Sequence, residues 1–338
     1  MTDLRSPYPF FGGKRRVASL VWERFGNTVN YVEPFFGSGA VLLGRPHTGK
    51  TETVNDANAF ISNFWRALKA EPDVVAFHAD WPVSEVDLHA RHLWLVSEGV
   101  KHVERCKNEP EYYDAKIAGW WVWGACQWIG SGWCDGLNCR GAVTEKLPHL
   151  MNDGKGIHRL THKIPILSGA HGKGIQCGEN KSGITQYLQG LSDRLRSVRV
   201  CCGDWSRVMG ETVTWRHGVT AVFLDPPYSE PERTKVYAVE TVGVAEKVRD
   251  WCHENGENRQ LRIALCGYSG EGHETLEAAG WSLVAWKAAG GYGSQGKGDT
   301  NGRENAKRER IWFSPFCLSN SLFGHENDAD TESQEVTV

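Results

Sequence analysis

Apolar and polar positions follow two periods along this chain. Residues 28–43, TVNYVEPFFGSGAVLL, place Val29, Tyr31 and Val32 as a strand, Gly37 and Gly39 in a tight turn, and a helix after them. The next stretch, TVNDANAFISNFWRALKA, predicts a short strand, an acid and an amphipathic helix carrying Phe60, Phe64, Ala67 and Leu68 on one face. Residues 84 to about 130 are patterned mainly as helix, with tryptophans crowded near the end. Residues 131–182 are glycine-rich, polar and basic, and carry a short echo, GKGIHR and GKGIQC. Regular alternation resumes with ITQYLQGLSDRLRSVRVCCGDW. It continues through a strand at 220–225, a helix near 242–257, the strand LRIALCG, a helix near 272–279, WSLVAWKAA, a glycine-rich loop at 290–302 and a last strand, ERIWFSP. Alternating strands and helices predict a doubly wound α/β domain. An insertion of roughly a hundred residues interrupts it, longer than an ordinary connection.

Composition narrows the class. The chain has 338 residues, 40% apolar and 23% charged, which fits a globular protein with a sizeable core. No stretch has the apolar length needed to span a bilayer. MTDLRSPYPFFGG has no basic segment followed by an apolar run, and the ten cysteines form no framework. The expectation is therefore a cytoplasmic protein with reduced thiols, in a bacterial or phage-infected host cytosol. Net charge is -3, but residues 319–338 hold five acids and no Lys or Arg, so that tail is expected to be disordered. Residues 131–200 carry ten Lys/Arg against five Asp/Glu, a basic region open to two readings: a polyanion site or a solvated loop.

Three stretches carry candidate chemistry. FFGSG after a strand suits the close approach of a nucleotide-containing cofactor, or a plain tight turn. Asp56, at the end of the second strand, suits acceptance of ribose hydroxyls; it also suits a helix cap, for which Asn58 competes. In CCGDW, Asp204 suits an adenine amino group and Trp205 an adenine face; the alternatives are a cap and a core tryptophan. The third stretch is the four apolar residues Ala221 to Leu224, ending on Asp225-Pro226-Pro227-Tyr228. Two prolines fix the backbone and remove two donors. The Asp225 carboxylate and the Pro226 carbonyl then present acceptors only, which suits an exocyclic amino group. Tyr228 adds a planar face for an aromatic base.

Taken together these segments resemble the Dam-type DNA adenine-N6 methyltransferases, in particular their phage and prophage branch. YPFFGGK (8–14) is similar to the N-terminal element of that family, VEPFFGSGAV (32–41) to its cofactor turn, NDAN (55–58) to its ribose acid, GDW (203–205) to its adenine position and DPPY (225–228) to its catalytic motif. The resemblance covers roughly residues 8–70 and 183–315. It implies a Rossmann-like S-adenosylmethionine methyltransferase sheet with helices on both faces and a helical or irregular insertion for target recognition. The implied division is a discontinuous catalytic domain, 1–80 and 183–318, a recognition insertion, 81–182, and the acidic tail, 319–338. The implied cofactor is S-adenosylmethionine, held by Phe10, Gly13, Lys14, Glu33, Pro34, Phe35, Gly37, Gly39, Asp56, Asp204 and Trp205. The implied catalytic residues are Asp225, Pro226, Pro227 and Tyr228, acting on an adenine flipped out of double-stranded DNA. Lys14, Trp128, Trp133, Lys155, Arg159 and Lys173 are the candidate DNA contacts.

Other readings compete. A cytosine-N4 enzyme also attacks with an exocyclic amine, although Asp225 leans towards adenine. A catalytically silent DNA-binding protein is opposed by the intact Asp225, Tyr228 and glycine turn. A nicotinamide dehydrogenase would want G-x-G-x-x-G and would leave DPPY unused. The five tryptophans between 120 and 133 suit a core as well as base stacking. His158, His162, Cys134, Cys139 and His149 have no zinc-site spacing, so no metal is expected. No membrane and no obligate protein partner are expected either.

Overall fold

The computed structural model describes residues 4–9, 14–47, 49–82, 84–128, 133–134, 182–228, 243–286 and 308–319. Among them, seven strands form one sheet. The strands are β1 (Asn30–Glu33), β2 (Thr51–Asp56), β3 (Val198–Cys202), β4 (Thr220–Leu224), β5 (Leu261–Tyr268), β6 (Ser282–Ala285) and β7 (Glu309–Phe313). Their spatial order is β3-β2-β1-β4-β5-β7-β6. The neighbours from β3 through β5 pair in parallel, and β7 runs antiparallel to both β5 and β6. The chain lays strands outward from β1 to β3 and then returns to place β4 on the other side of β1. That reversal opens a crevice at the carboxyl ends of β1 and β4, where open α/β sheets bind ligands. The sheet is the Rossmann-like arrangement expected from the alternating pattern.

The central strand shows why the apolar run folds this way. All of β4 is buried, and its residues alternate between two cores. Ala221 and Phe223 join a cluster with Tyr31, Val54, Ala264 and Phe313. Val222 and Leu224 join a second with Val32, Ile263, Leu265 and Trp312. A strand covered on both faces loses the in-out alternation of a half-exposed one, and its sequence becomes continuously apolar.

Helices fill both faces. The first core takes α1 (Ala18–Phe25), α2 (Ala40–Leu43), α3 (Ala59–Ala70), α4 (Pro72–Ala79), α5 (Glu85–Trp94), α6 (Val100–Val103), α7 (Ala115–Gln127) and α8 (Ser182–Leu195). The second core takes α9 (Val244–Asn255) and short 3-10 turns at Trp205–Val208 and His273–Ala279. A π turn, Leu95–Gly99, links α5 to α6. Helix α7 packs on α3 and α4, so Trp121 and Trp123 lie in the same core as the sheet. Two details differ from the pattern. Residues 273–279 form a 3-10 turn rather than an α-helix, because left-handed glycines, Gly272 and Gly280, close it at both ends. Helices α1 and α4 were not legible, since eight residues each leave little period to read.

A buried ion triad ties the first parallel strands to the helices. Glu52 on β2 meets Arg45 at 2.9 Å and Arg194 of α8 at 2.6 Å. Arg45 also donates to the Thr28 carbonyl. Removing the carboxylate strands a buried guanidinium. Glu52→Ala should therefore lose about 3–5 kcal/mol of unfolding free energy, read by urea denaturation. A loss under about 1 kcal/mol, the scale of a solvent-exposed pair, would mean that water takes the place of the carboxylate.

Candidate active site

The site begins where three strand ends are laced together. Asn55 of β2 gives one amide proton to the Pro34 carbonyl at 3.1 Å and the other to the Gly203 carbonyl at 3.0 Å. Asp56 accepts the Gly37 N–H on Oδ2 at 2.9 Å and the Asn58 N–H on Oδ1 at 2.8 Å. Its own carbonyl takes the Gly203 N–H at 3.1 Å. The ends of β1, β2 and β3 are thereby fixed to one another by two adjacent side chains. Asn58, not Asp56, caps α3, accepting from Phe60 N at 2.9 Å.

The glycine turn hangs from this lacing. Gly37 and Gly39 have φ of 47° and 70°. A Cβ at Gly39 would sit 2.9 Å from the Phe36 ring, so glycine is required both for conformation and for space. The Gly37 carbonyl accepts from Tyr8 Oη at 2.7 Å and from Trp65 Nε1 at 3.0 Å. Both of these supports escaped the sequence reading, because nothing in a lone Tyr or Trp announces which carbonyl it will meet. Phe35 stacks on Trp205, with centroids 6.1 Å apart and planes at 27°. Trp205 is also part of the second core, and Asp204 caps its 3-10 turn by accepting from Ser206 N. Glu33 is buried at the end of β1, where Tyr31 donates to it at 2.8 Å. Burial pushes the Glu33 carboxyl well above the usual range, against the Tyr31 hydrogen bond.

The second half of the site gathers around a buried ammonium. Lys14, 4% exposed, starts a short 3-10 turn before α1. Its Nζ lies 3.0 Å from Asp225 Oδ1, 2.9 Å from Tyr228 Oη and 3.7 Å from Glu309 Oε2. Tyr228 Oη in turn lies 3.0 Å from Asp225 Oδ1 and 3.1 Å from Glu309 Oε2. The Tyr228 ring is buried edge-to-face against Tyr268, at 4.4 Å between centroids. Pro226 is buried and Pro227 partly so, which fixes Asp225 in the crevice with 15% of its side chain exposed. Lys14 is thus no surface lysine. Glu309 is the participant the sequence did not announce. Its strand was legible, but a glutamate opening an apolar run looks like any solvated strand end.

The other candidates fall elsewhere. Trp128 is buried against His92 and Trp133, and Trp133 lies over Gly124 and donates to the Trp121 carbonyl at 2.9 Å. Trp128 packs as core, with little ring left for a base. Phe10, Gly13, Lys155, Arg159 and Lys173 lie outside the described residues, as do Cys139, His149, His158 and His162. Among the described residues no group of three or more His, Cys, Asp or Glu could hold a metal, no disulfide joins the cysteines, and no helix is long and apolar enough to cross a membrane.

Against this geometry stands one comparison. Residues 10–116 match the family model of D12 class N6 adenine-specific DNA methyltransferases. The matched segment includes the glycine turn and Asp56 and stops before Asp204 and Asp225. It supports an adenine-N6 methyltransferase family, and with it an enzyme that methylates adenine in DNA, over the cytosine-N4 alternative. Dependence on S-adenosylmethionine is what that family implies. No curated protein matches the chain.

Asp56 gives this half of the site a pH signature. Burial raises its carboxyl from 3.8 to about 6, against the two backbone N–H bonds. A folded-state value above the unfolded one means that the protonated form is favoured by folding. That contribution is present at acid pH and lost as the pH rises through about 6. Carbon-13 NMR titration of the aspartate carboxyls should therefore show Asp56 titrating near 6, apart from exposed aspartates. Titration in the ordinary aspartate range would mean that the N–H bonds outweigh burial.

Proposed function

We propose that the chain is a Dam-type DNA adenine-N6 methyltransferase that binds S-adenosylmethionine across the glycine turn and receives a flipped-out adenine beside Asp225. The observation that carries this reading is the position of Asp225. It stands beyond β4, at the point where the sheet order reverses, with one oxygen anchored by Lys14 and Tyr228.

The residues present fit the cofactor. Each Asp56 oxygen accepts one backbone N–H, which leaves lone pairs for two ribose hydroxyls. Phe35 and Trp205 supply aromatic surface beside Gly203, and Asp204 stands exposed next to them. Gly37 and Gly39 let the backbone approach closely, and Glu33 supplies a carboxyl group at the same strand end. When bound, S-adenosylmethionine supplies an electrophilic methyl group on a sulfonium. The protein's task is then to aim a nucleophile at it.

Asp225 Oδ1 is taken by Lys14 and Tyr228, and among the described residues Oδ2 has no partner. We assign Oδ2 and the Pro226 carbonyl to the amino group of the target base. Two accepted protons raise the electron density on that nitrogen and fix the direction of its lone pair. Methyl transfer from the sulfonium, which would leave as a neutral thioether, would require the amino nitrogen to lose a proton, and Asp225 Oδ2 would accept it. Tyr228 forms a wall of the base site. Its hydroxyl anchor sets the ring angle before the base arrives, a case of preorganisation. Lys14 belongs to the floor of the base site in this reading, since a buried ammonium shared by two carboxylates is badly placed for a backbone phosphate. Recognition of the duplex is assigned to the 81–182 segment, whose basic residues include Lys155, Arg159 and Lys173.

Two outcomes follow. Incubation with unmethylated double-stranded DNA and labelled cofactor, then mass analysis of nucleosides, should give N6-methyladenine. N4-methylcytosine, or no methylated base, would overturn the reading. Asp225→Ala should lower methyl transfer by at least about 10³-fold, while cofactor affinity by calorimetry stays within about threefold of wild type. Near-wild-type turnover would remove Asp225 from the mechanism.

A further inference from the structure

The floor of the crevice sets one cation among two carboxylates and a phenol. Glu309 is the first residue of β7 and 4% exposed. It pairs across the sheet with Tyr268, the last residue of β5. Because β7 runs against its neighbours, its first residue reaches the edge where the parallel strands end. A parallel strand at this position would have brought its last residue there instead.

A phenol has one proton. Tyr228 Oη is within hydrogen-bond distance of Asp225 Oδ1 at 3.0 Å and Glu309 Oε2 at 3.1 Å, so the two carboxylates compete for it. Lys14 Nζ is shared on the same terms, nearer to Asp225 at 3.0 Å than to Glu309 at 3.7 Å. Burial raises the Glu309 carboxyl above its ordinary value; Lys14 and the Tyr228 hydrogen bond oppose the shift, and Asp225 adds to it. Other groups among the described residues also face the cluster. Cys266 on β5 is a buried thiol with a raised pKa, from burial first and then Asp225. Glu33 faces Asp225 from β1. The Trp286 ring lies 5.5 Å from Lys14 Nζ, Arg308 stands over Tyr268, and Arg310 donates to the Glu309 carbonyl.

We propose that Glu309 is a positioning residue for methyl transfer: through the Tyr228 hydroxyl and the Lys14 ammonium it sets how much acceptor capacity of Asp225 is left for the amino group of the target base. The proposal rests on the role of Asp225 given above. When Glu309 is protonated, its hydroxyl donates to the phenol oxygen, and the phenol proton goes to Asp225 Oδ1 alongside Lys14. Asp225 is then held but drained of electron density. When Glu309 is ionised, it takes the phenol proton and competes for Lys14. Asp225 keeps Lys14 as its anchor and becomes a stronger acceptor for the base. The chemical step therefore speeds up as the pH rises through the Glu309 value and is slow below it.

The test is single-turnover methylation of unmethylated DNA with labelled S-adenosylmethionine, from about pH 5 to about pH 9, for wild type, Glu309→Gln, Glu309→Asp and Tyr228→Phe. Glu309→Gln keeps the shape but cannot ionise. It should lower the rate at neutral pH by about tenfold or more and flatten the acid limb, with cofactor and DNA affinities within about twofold of wild type. Glu309→Asp should restore the limb. Tyr228→Phe, which removes the shared proton, should lose the limb as well, and it decides the matter if Glu309→Gln does not fold. An unchanged pH profile in Glu309→Gln, or in Tyr228→Phe, would overturn the proposal. So would a Glu309→Asp defect as deep as that of Glu309→Gln, or a rate loss matched by equal losses of cofactor and DNA affinity. Absence of N6-methyladenine with the wild-type protein would instead overturn the functional reading beneath it.

Discussion

A buried ammonium must be paired, and Lys14 is buried. That constraint decides how three distant parts of the chain meet. The N-terminal turn brings the cation, the end of β4 brings Asp225 and Tyr228, and β7 brings Glu309. Lys14 and Glu309 are buried, and neither is tolerable there alone. An unpaired Lys14 would lose its charge or its place, and two neighbouring carboxylates without a cation would not both stay ionised. The crevice is therefore polar at its floor by mutual necessity. The same necessity occupies Asp225 Oδ1 and, among the described residues, leaves Oδ2 without a partner.

The other half of the crevice is built from neutral bonds between strand ends. Asn55 and Asp56 are consecutive, so their side chains point to opposite sides of β2. One ties β1 to β3, and the other ties the glycine turn to the entry of α3. The Gly37 carbonyl is held from behind by Tyr8 and Trp65, so the turn is fixed on both its donor and its acceptor sides. Binding at such a turn needs little further ordering of the backbone, which lowers its entropic cost. The buried triad of Glu52, Arg45 and Arg194 anchors the opposite end of β2, so that strand is fixed at both ends.

Much of this was readable from residues, and the reasons can be named. Buried strands announce themselves by unbroken apolar runs, as Ala221 to Leu224 do, and amphipathic helices by spacing, as Phe60, Phe64, Ala67 and Leu68 do. Gly37 and Gly39 were readable because only glycine takes their backbone angles without strain. For the cap of α3 the residues left Asp56 and Asn58 as rivals, and the structure gives it to Asn58. The short helices α1 and α4 were not readable, and neither was the 3-10 form of residues 273–279, which depends on two left-handed glycines bracketing seven residues. Trp128 shows the limit in another way. Its crowding with other tryptophans was compatible with base stacking, yet it is packed against His92 and Trp133.

The sequence by itself determined the local periods, the turns and the order of the chemically loaded segments, because each of these depends on residues a few positions apart. From that order alone came the doubly wound sheet and the expectation that Asp56, Asp204 and Asp225 stand at strand ends. Tertiary structure alone decided which strand ends share an edge and which side chains share a proton. Lys14 lies 211 residues before Asp225, which lies 84 before Glu309, and their meeting depends on β7 running backwards beside β5. No local pattern encodes the direction of a strand relative to a neighbour so far away. It is set when the apolar residues of β5 and β7 are buried together, and only then does a glutamate at the start of an apolar run become part of the site.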